Sequence, residues 1–284
     1  MNPQQPVIVI GMHRSGTTMI TKMLEDLGVF LGWRKQGDHE ATFFLSLNDW
    51  LLEQCCCGWD NPGPFRYLLE DPPMRRAALD YLRLSLDSPR TLSFLGIGRY
   101  LKTRSPLYLD EPWGFKDPRS TFTLPLWLEI FPDARLIHVS RHGVDVAASL
   151  TNRHDQIVAA RRTRFDRRRW LYRLRARRSR ITTSARCANL ADGFSLWEEY
   201  FDESRRQVEE HSGQTLDVRY EDFLASPAEG LARVAKFCGL EVSDERVAEV
   251  AGDAQLDRAY AHRRSPELLE FAESRVEHLA VRGY

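Results

Sequence analysis

Two short stretches of this 284-residue chain have residue types and spacings suited to holding an anion. The first is Gly11-Met12-His13-Arg14-Ser15-Gly16-Thr17-Thr18. A glycine-framed loop opening into a helix aims backbone N–H groups and the positive dipole end at one point, which makes an anion site. Its G-x-x-x-x-G spacing matches the nucleotide-triphosphate loop G-x-x-x-x-G-K-[ST], except that Thr17 stands where a lysine would reach the β- and γ-phosphates. That difference argues against ATP or GTP hydrolysis, whereas Arg14 and the hydroxyls still suit a phosphate or sulfate. A tight turn without a ligand is the plain alternative. The second stretch, Arg141-His142-Gly143-Val144-Asp145-Val146-Ala147-Ala148-Ser149, sets an arginine just past a predicted strand and a serine two turns into a helix. A capping or surface arginine is the alternative there.

The elements that must position these residues follow from periodicity. Pro6–Ile10 is a continuous β-branched run opened by a proline, expected as a buried strand. From Thr17 the period becomes helical, with Met19, Ile20, Met23, Leu24 and Leu27 on one face and Gly28 as a stop. Gly114–Lys116 reads as a short strand ending at Asp117-Pro118-Arg119, followed by a helix from about Thr121 to Phe131. Arg135–Ser140 reads as a second buried strand, with a helix from Gly143 to Asn152 behind it. Strands and helices alternating in this order imply parallel strands with crossover helices. Both anion-suited loops then open at the carboxyl edge of the sheet, where ligands bind, and together they suit a ligand with two separated phosphate groups. Further helices are expected over Glu40–Gln54, Met74–Leu86, Leu190–Glu210, Pro227–Cys238 and Asp244–Gly252, with a last strand at Thr215–Tyr220; residues 91–110 show no decisive period.

Taken together, GMHRSGTT, FKDPR and RLIHVSRHGVDVAAS resemble the sulfotransferases that use 3′-phosphoadenosine 5′-phosphosulfate (PAPS), and in particular bacterial members. The stretch Val218-Arg219-Tyr220-Glu221-Asp222-Phe223 is similar to that family's C-terminal strand and helix start. The resemblance covers most of residues 6–150 and 190–264. It implies an α/β, P-loop-like three-layer fold with a central parallel β-sheet flanked by helices. One sulfotransferase domain over 1–284 is expected, with an Arg-rich helical insertion at about 155–188. The donor's 5′-phosphosulfate would lie in the first loop, at His13, Arg14, Ser15, Gly16, Thr17 and Thr18. Its 3′-phosphate would be held by Arg141 and Ser149, with Tyr220 and Arg263 also at donor-binding positions. Arg263 belongs to a late basic segment with Arg258, His262 and Arg264.

Sulfuryl transfer needs a base for the acceptor hydroxyl and positive charge where the leaving phosphate develops its own. Lys116 falls where the family carries a lysine for the second role. Small-molecule cytosolic sulfotransferases place a histidine two residues later, and this chain has Pro118. Lys-Asp-Pro instead resembles the tyrosylprotein sulfotransferases, which use a glutamate from the segment after the first helix. Here that segment holds Asp38-His39-Glu40, so Glu40 is expected as general base, with His39 and Asp117 as the other candidates. A helix-start charge complementing the dipole is the alternative for Glu40, and a turn former for Asp117.

Forty basic and forty acidic residues balance, but residues 161–180 hold eleven arginines and one acid, Asp166. Trp170, Leu171 and Leu174 lie at helical spacing among them, as in a basic amphipathic helix. An anionic acceptor or lipid surface, a nucleic acid and a solvated insertion are the readings of this tract. Five cysteines, three of them adjacent at Cys55–Cys57, show no metal-ligand spacing, and no apolar run reaches the ~20 residues needed to span a bilayer. No metal, a cytoplasmic location and filler thiols are therefore expected. The acceptor is left open among a sugar, a phenol, a peptide and a lipid headgroup, with aromatics of 29–72 and 91–113 (Trp33, Phe43, Trp50, Trp59, Phe65, Tyr100) lining its pocket. A degenerate P-loop kinase or NTPase, for which Asp110 would have to hold magnesium, and a non-catalytic anion or nucleic-acid binder are the competing functions.

Overall fold

Val7–Ile10 forms β1, and all four of its side chains are buried. The computed structural model describes residues 3–176 and 180–284. After β1 come α1 (Thr17–Asp26), α2 (Thr42–Glu53), α3 (Arg66–Glu70), α4 (Pro72–Leu86) and α5 (Leu92–Thr103). β2 (Gly114–Lys116), α6 (Ser120–Ile130), β3 (Arg135–Ser140) and α7 (Gly143–Arg168) follow. The chain continues through α8 (Leu190–Glu210), β4 (Thr215–Arg219), α9 (Tyr220–Ala225), α10 (Pro227–Cys238) and α11 (Asp244–Ala251), and ends with α12 (Pro266–Glu273) and α13 (Val276–Ala280). Two compact units contain these elements: Met1–Arg141 with Glu199–Ala259, and His142–Glu198 with Tyr260–Tyr284.

The first unit is built on a parallel sheet in the order β2-β1-β3-β4. Helices cover both sheet faces, as parallel strands require, and the strands are accordingly apolar on both sides. Val7, Val9, Ile137 and Val139 face the buried apolar side chains of α1, α9, α10 and α11. The opposite face pairs Ile8 with Phe115, and Phe115 stacks on Phe44 of α2 at 3.9 Å between ring centroids. Trp127 of α6 joins the same aromatic layer. β1 and β3 are neighbours, yet the chain leaves β1 toward β2 and leaves β3 toward β4. The crevice at their carboxyl ends is therefore a topological switch point, where ligands of open α/β sheets bind.

In the second unit, Gly143 opens α7 against the rings of Phe194 and Trp197; a Cβ there would lie 2.5 Å from Trp197. The buried carboxylate of Asp145 accepts from the backbone N–H groups of Ala261 (3.1 Å) and His262 (2.7 Å) and lies 3.1 Å from His262 Nδ1. This side chain anchors the segment 261–264 to the first turn of α7.

Three expected boundaries change. α7 does not stop at Asn152 but runs to Arg168, because residues 153–168 contain no glycine or proline and are rich in arginine, a strong helix former. The amphipathic helix expected around Trp170–Leu174 is a 3-10 stretch, Arg169–Arg173. Arg177, Arg178 and Ser179 of the tract lie outside the described residues. Glu40 precedes the helix instead of starting it: a Lys35–Ala41 bridge and a turn at 36–39 hold it in non-helical chain before α2. The undecided stretch 91–110 contains α5, kinked at Gly96, where φ is 69°.

Candidate active site

The loop after β1 has a left-handed bend at each end. Gly11 has φ 131°, and a Cβ there would lie 2.3 Å from the Val139 carbonyl oxygen of the neighbouring strand. Gly16 caps α1 with φ 100°, and a Cβ there would lie 2.3 Å from the Tyr220 ring. Any side chain at either position would be strained and would collide, so the two glycines are what let the loop close. No side chain caps α1, which leaves the dipole end of the helix to face the loop. The loop is braced from within, where Ser15 Oγ donates to the Met12 carbonyl at 2.7 Å, and from α6, where the Gly11 N–H donates to Thr121 Oγ1 at 3.1 Å. Thr18 Oγ1 donates to the Asp38 carbonyl at 3.1 Å, tying the helix start to the segment that carries Glu40. The His13 ring stands edge-on to Trp59, 4.8 Å between centroids.

Arg141, immediately after β3, reaches across this loop. Its Nη1 donates to the Arg14 carbonyl at 3.3 Å and its Nη2 to the Arg258 carbonyl at 2.9 Å. The guanidinium lies over the Tyr220 ring, 4.7 Å from the centroid. Gly16, Arg14, Arg141 and Tyr220 are thus one contiguous group at the switch point. Ser149 lies on α7 and Arg263 follows in the segment 261–264; both belong to the second unit, where the Arg263 guanidinium lies over Tyr260 at 4.1 Å.

The carboxyl end of β2 carries a buried ionic cluster. Lys116 Nζ donates to the Asp38 carbonyl at 2.6 Å and to Glu40 Oε1 at 3.2 Å; the two residues are 2% and 5% exposed. Burial pushes the Glu40 carboxyl above the usual carboxylate range, with Asp117 adding to the effect and Lys116 and Arg119 opposing it. Arg119 Nη1 lies 4.0 Å from Glu40 and 3.0 Å from Asp117, and its Nε is 2.7 Å from Asp49. Burial works against the Arg119 charge, but those carboxylates outweigh it and keep the guanidinium protonated.

Asp117 is fully committed to this scaffold. It accepts from the Arg119 backbone N–H at 3.0 Å and from Asn48 Nδ2 at 2.9 Å, the geometry of a turn former. His39 takes a different direction from Glu40: its Nδ1 is 3.5 Å from Glu25, and φ is 59°. Burial, helped by Lys22 and Lys35, lowers the His39 imidazole below its ordinary value.

Sequence reasoning passed over Asn48, which is fully buried. Its Nδ2 donates to Asp117 and to Ser120 Oγ at 3.0 Å, and its Oδ1 accepts from Thr123 Oγ1 and Trp127 Nε1, both at 2.8 Å. All four hydrogen bonds of the amide are therefore made. The only signal was a polar residue at i+4 from Phe44 on the apolar stripe of a helix. Tyr200 was passed over as well; fully buried, it donates to the Trp59 carbonyl at 2.7 Å and packs edge-on against Phe122. Beside it lies a cavity of about 420 Å³ lined by Phe65, Leu69, Phe122, Glu199 and Asp202 among others. Of the expected acceptor aromatics, Phe65 lines this cavity, Phe43 is core, and Trp33 is exposed.

A parallel α/β sheet whose switch point holds a glycine-framed helix start, an arginine and a buried lysine–glutamate pair defines a P-loop-like fold. The model of the sulfotransferase family matches residues 6–244, and the chain belongs to that family of enzymes. A sulfotransferase from Alicyclobacillus acidocaldarius has the same fold, with 16% identity, TM-score 0.52, and coverage of 98% of this chain and 94% of that one. The sulfotransferase domain of the Synechococcus PCC 7002 olefin synthase matches at 19% identity and TM-score 0.45, over 95% of this chain and 83% of that one. No curated protein matches the chain. Among the described residues, no helix is long and apolar enough to cross a membrane.

Proposed function

We propose that the protein moves a sulfuryl group from PAPS to a hydroxyl, or an amine, of an organic acceptor, with Glu40 as general base. The observation that carries this reading is the contact of Lys116 with Glu40, buried together at the carboxyl end of β2 and joined to the start of α1 through the Asp38 carbonyl. Gly11 and Gly16 leave room that any other residue would fill, and Arg14, Lys116 and Arg141 supply the positive charge an anionic donor requires. PAPS supplies a sulfur electrophile on a phosphate leaving group. The donor would be held at His13, Arg14, Ser15, Gly16, Thr17 and Thr18, with its 3′-phosphate at Arg141 and a further contact from Tyr220.

Each residue then has one physical task. Glu40, raised by burial, is poised nearer the working pH than an exposed glutamate and accepts the proton of the acceptor hydroxyl. Lys116 is held in place by the Asp38 carbonyl and presents its charge where the departing phosphate gains negative charge, at no cost of reorganisation. Asp117, spent on Asn48 and Arg119, shapes the turn that presents Lys116. The cavity beside Tyr200 is of a size to take an organic acceptor, and free thiols at all five cysteines suit a reducing cytoplasm.

Glu40→Gln tests the assignment, because the amide keeps the shape and an acceptor for Lys116. Turnover is expected to fall roughly 10²–10⁴-fold, with the affinity for 3′,5′-adenosine bisphosphate retained in a thermal-shift titration. Near-normal turnover would remove Glu40 from the role. Absence of any stabilisation of the parent chain by that nucleotide would remove the donor assignment.

A further inference from the structure

The arginine tract has no task in sulfuryl transfer as described above, yet much of it is ordered against its own unit. α7 runs to Arg168, and the Phe165 and Tyr172 rings stack at 5.4 Å and 8°, turning residues 169–173 back on the helix. The returning chain is tied down where Arg161 Nη1 donates to the Arg180 carbonyl at 3.0 Å and where His154 Nδ1 lies 2.9 Å from the Ser184 carbonyl. On this frame Arg162, Arg164, Arg167, Arg168, Arg169, Arg173, Arg175 and Arg180 are exposed. The one acid in the tract, Asp166, lies 3.3 Å from Arg162. Among the described residues, no carboxylate forms an ion pair with Arg164, Arg167, Arg168, Arg169, Arg173 or Arg175.

Large apolar side chains stand exposed in the same stretch: Trp170 at 62%, Leu174 at 81% and Ile181 at 64%. A surface that only needed solubility would not combine them with unpaired guanidiniums. The combination discriminates between anionic partners. A single-stranded nucleic acid is gripped by arginine and by ring stacking, but exposed leucine and isoleucine offer no ring to stack on. An anionic bilayer uses all three: guanidiniums meet lipid phosphates, tryptophan sits at the headgroup level, and aliphatic side chains enter the acyl boundary.

We infer that the end of α7 and the turn after it form a docking surface for an anionic lipid bilayer, with Trp170 and Leu174 seated in the interface. The inference is independent of the sulfuryl-transfer reading, since none of its residues belongs to the proposed active site.

The test is cosedimentation of the full chain with phosphatidylcholine vesicles, pure or containing about 30% phosphatidylserine. Binding is expected on the anionic vesicles alone, falling steeply between roughly 0.1 and 0.5 M salt. Arg167→Gln combined with Arg168→Gln and Arg169→Gln should weaken it by about 100-fold, at roughly fivefold per arginine. Trp170→Ser with Leu174→Ser should weaken it roughly tenfold while leaving the salt slope unchanged. Circular dichroism verifies that the variants are folded, and the comparison of the two vesicles needs no variant. No sedimentation with anionic vesicles, equal sedimentation with neutral ones, or full binding by the triple variant would overturn the inference. Binding to a single-stranded RNA oligonucleotide with none to vesicles would overturn it in favour of nucleic acid.

Discussion

Positive charge is handled in opposite ways in the two units of this chain. At the switch point of the first unit, Lys116, Arg119 and Arg141 are each nearly buried, and each is held by named partners: Asp38 and Glu40, Asp117 and Asp49, and the carbonyls of Arg14 and Arg258. Along α7 and the turn after it, in the second unit, most guanidiniums are exposed, and the single acid of the tract meets one of them. Desolvation explains the contrast. A buried cation is tolerated only where geometry and hydrogen bonds compensate the loss of water, so its position is specified to fractions of an ångström. An exposed one is screened within about 8–10 Å and specifies little except a local field. The first arrangement suits chemistry at a point, and the second suits attraction to an extended surface.

The contrast fails if a buried cation can be removed without consequence. Lys116→Met is expected to lower kcat by about 10²–10³-fold, the scale of losing one preorganised charge at a developing anion. It should also move the pH profile. Burial raises the Glu40 carboxyl and Lys116 is the first of the groups opposing that rise, so without Lys116 the carboxyl climbs further. Activity that needs the carboxylate is lost as pH falls through this raised value, and the acid limb of kcat should therefore shift to higher pH in the variant. Stability has the opposite sign: a carboxyl raised on folding stabilises the fold below its unfolded pKa, and that contribution is lost as pH rises through the folded value. Activity is thus gained in the window where stability is given up, a trade expected of a working base. An acid limb that does not move would uncouple the pair.

Asn48→Ala probes the scaffold beneath the same cluster. It strips partners from Asp117, Ser120, Thr123 and Trp127, and about 3 kcal/mol of stability should be lost, read as a lower urea midpoint at unchanged slope. A loss below about 1 kcal/mol would mean that these groups find other partners, and that the buried cluster is less tightly specified than its distances indicate.

Residues that act as neighbours in sequence were legible, and those that meet only in space were not. The Gly11–Thr18 loop could be read because strand, glycines, hydroxyls and helix are contiguous, and β1, β2, β3 and β4 because short apolar runs were bounded by turn residues. The parallel fold followed from their alternation with helices. Asn48 escaped notice because its partners lie 69 to 79 residues away, and nothing local distinguishes it from a stray polar residue. Arg119 belongs to the FKDPR stretch, but its bridge between Asp49 and Asp117 depends on α2 packing beside β2. The true length of α7 was hidden because a helix without an apolar stripe has no 3.6-residue period to detect.

The smallest expected effect is the one that completes the comparison. Reversing Arg164, Arg167 and Arg168 to glutamate should change stability by only about 0.5 kcal/mol, within the range of surface substitutions, or about 1–2 °C in Tm for a chain of this size. The sign is informative. All three lie in the last two turns of α7, where basic residues favour the negative end of the helix dipole and acids oppose it, which predicts a slight loss. Relief of repulsion among the remaining arginines predicts a slight gain, and raising the salt concentration should shrink both. A fall in Tm of 10 °C or more, on the order of 3 kcal/mol, would show instead that these guanidiniums are held as specifically as Lys116 and Arg119, and the two regions would no longer be opposites.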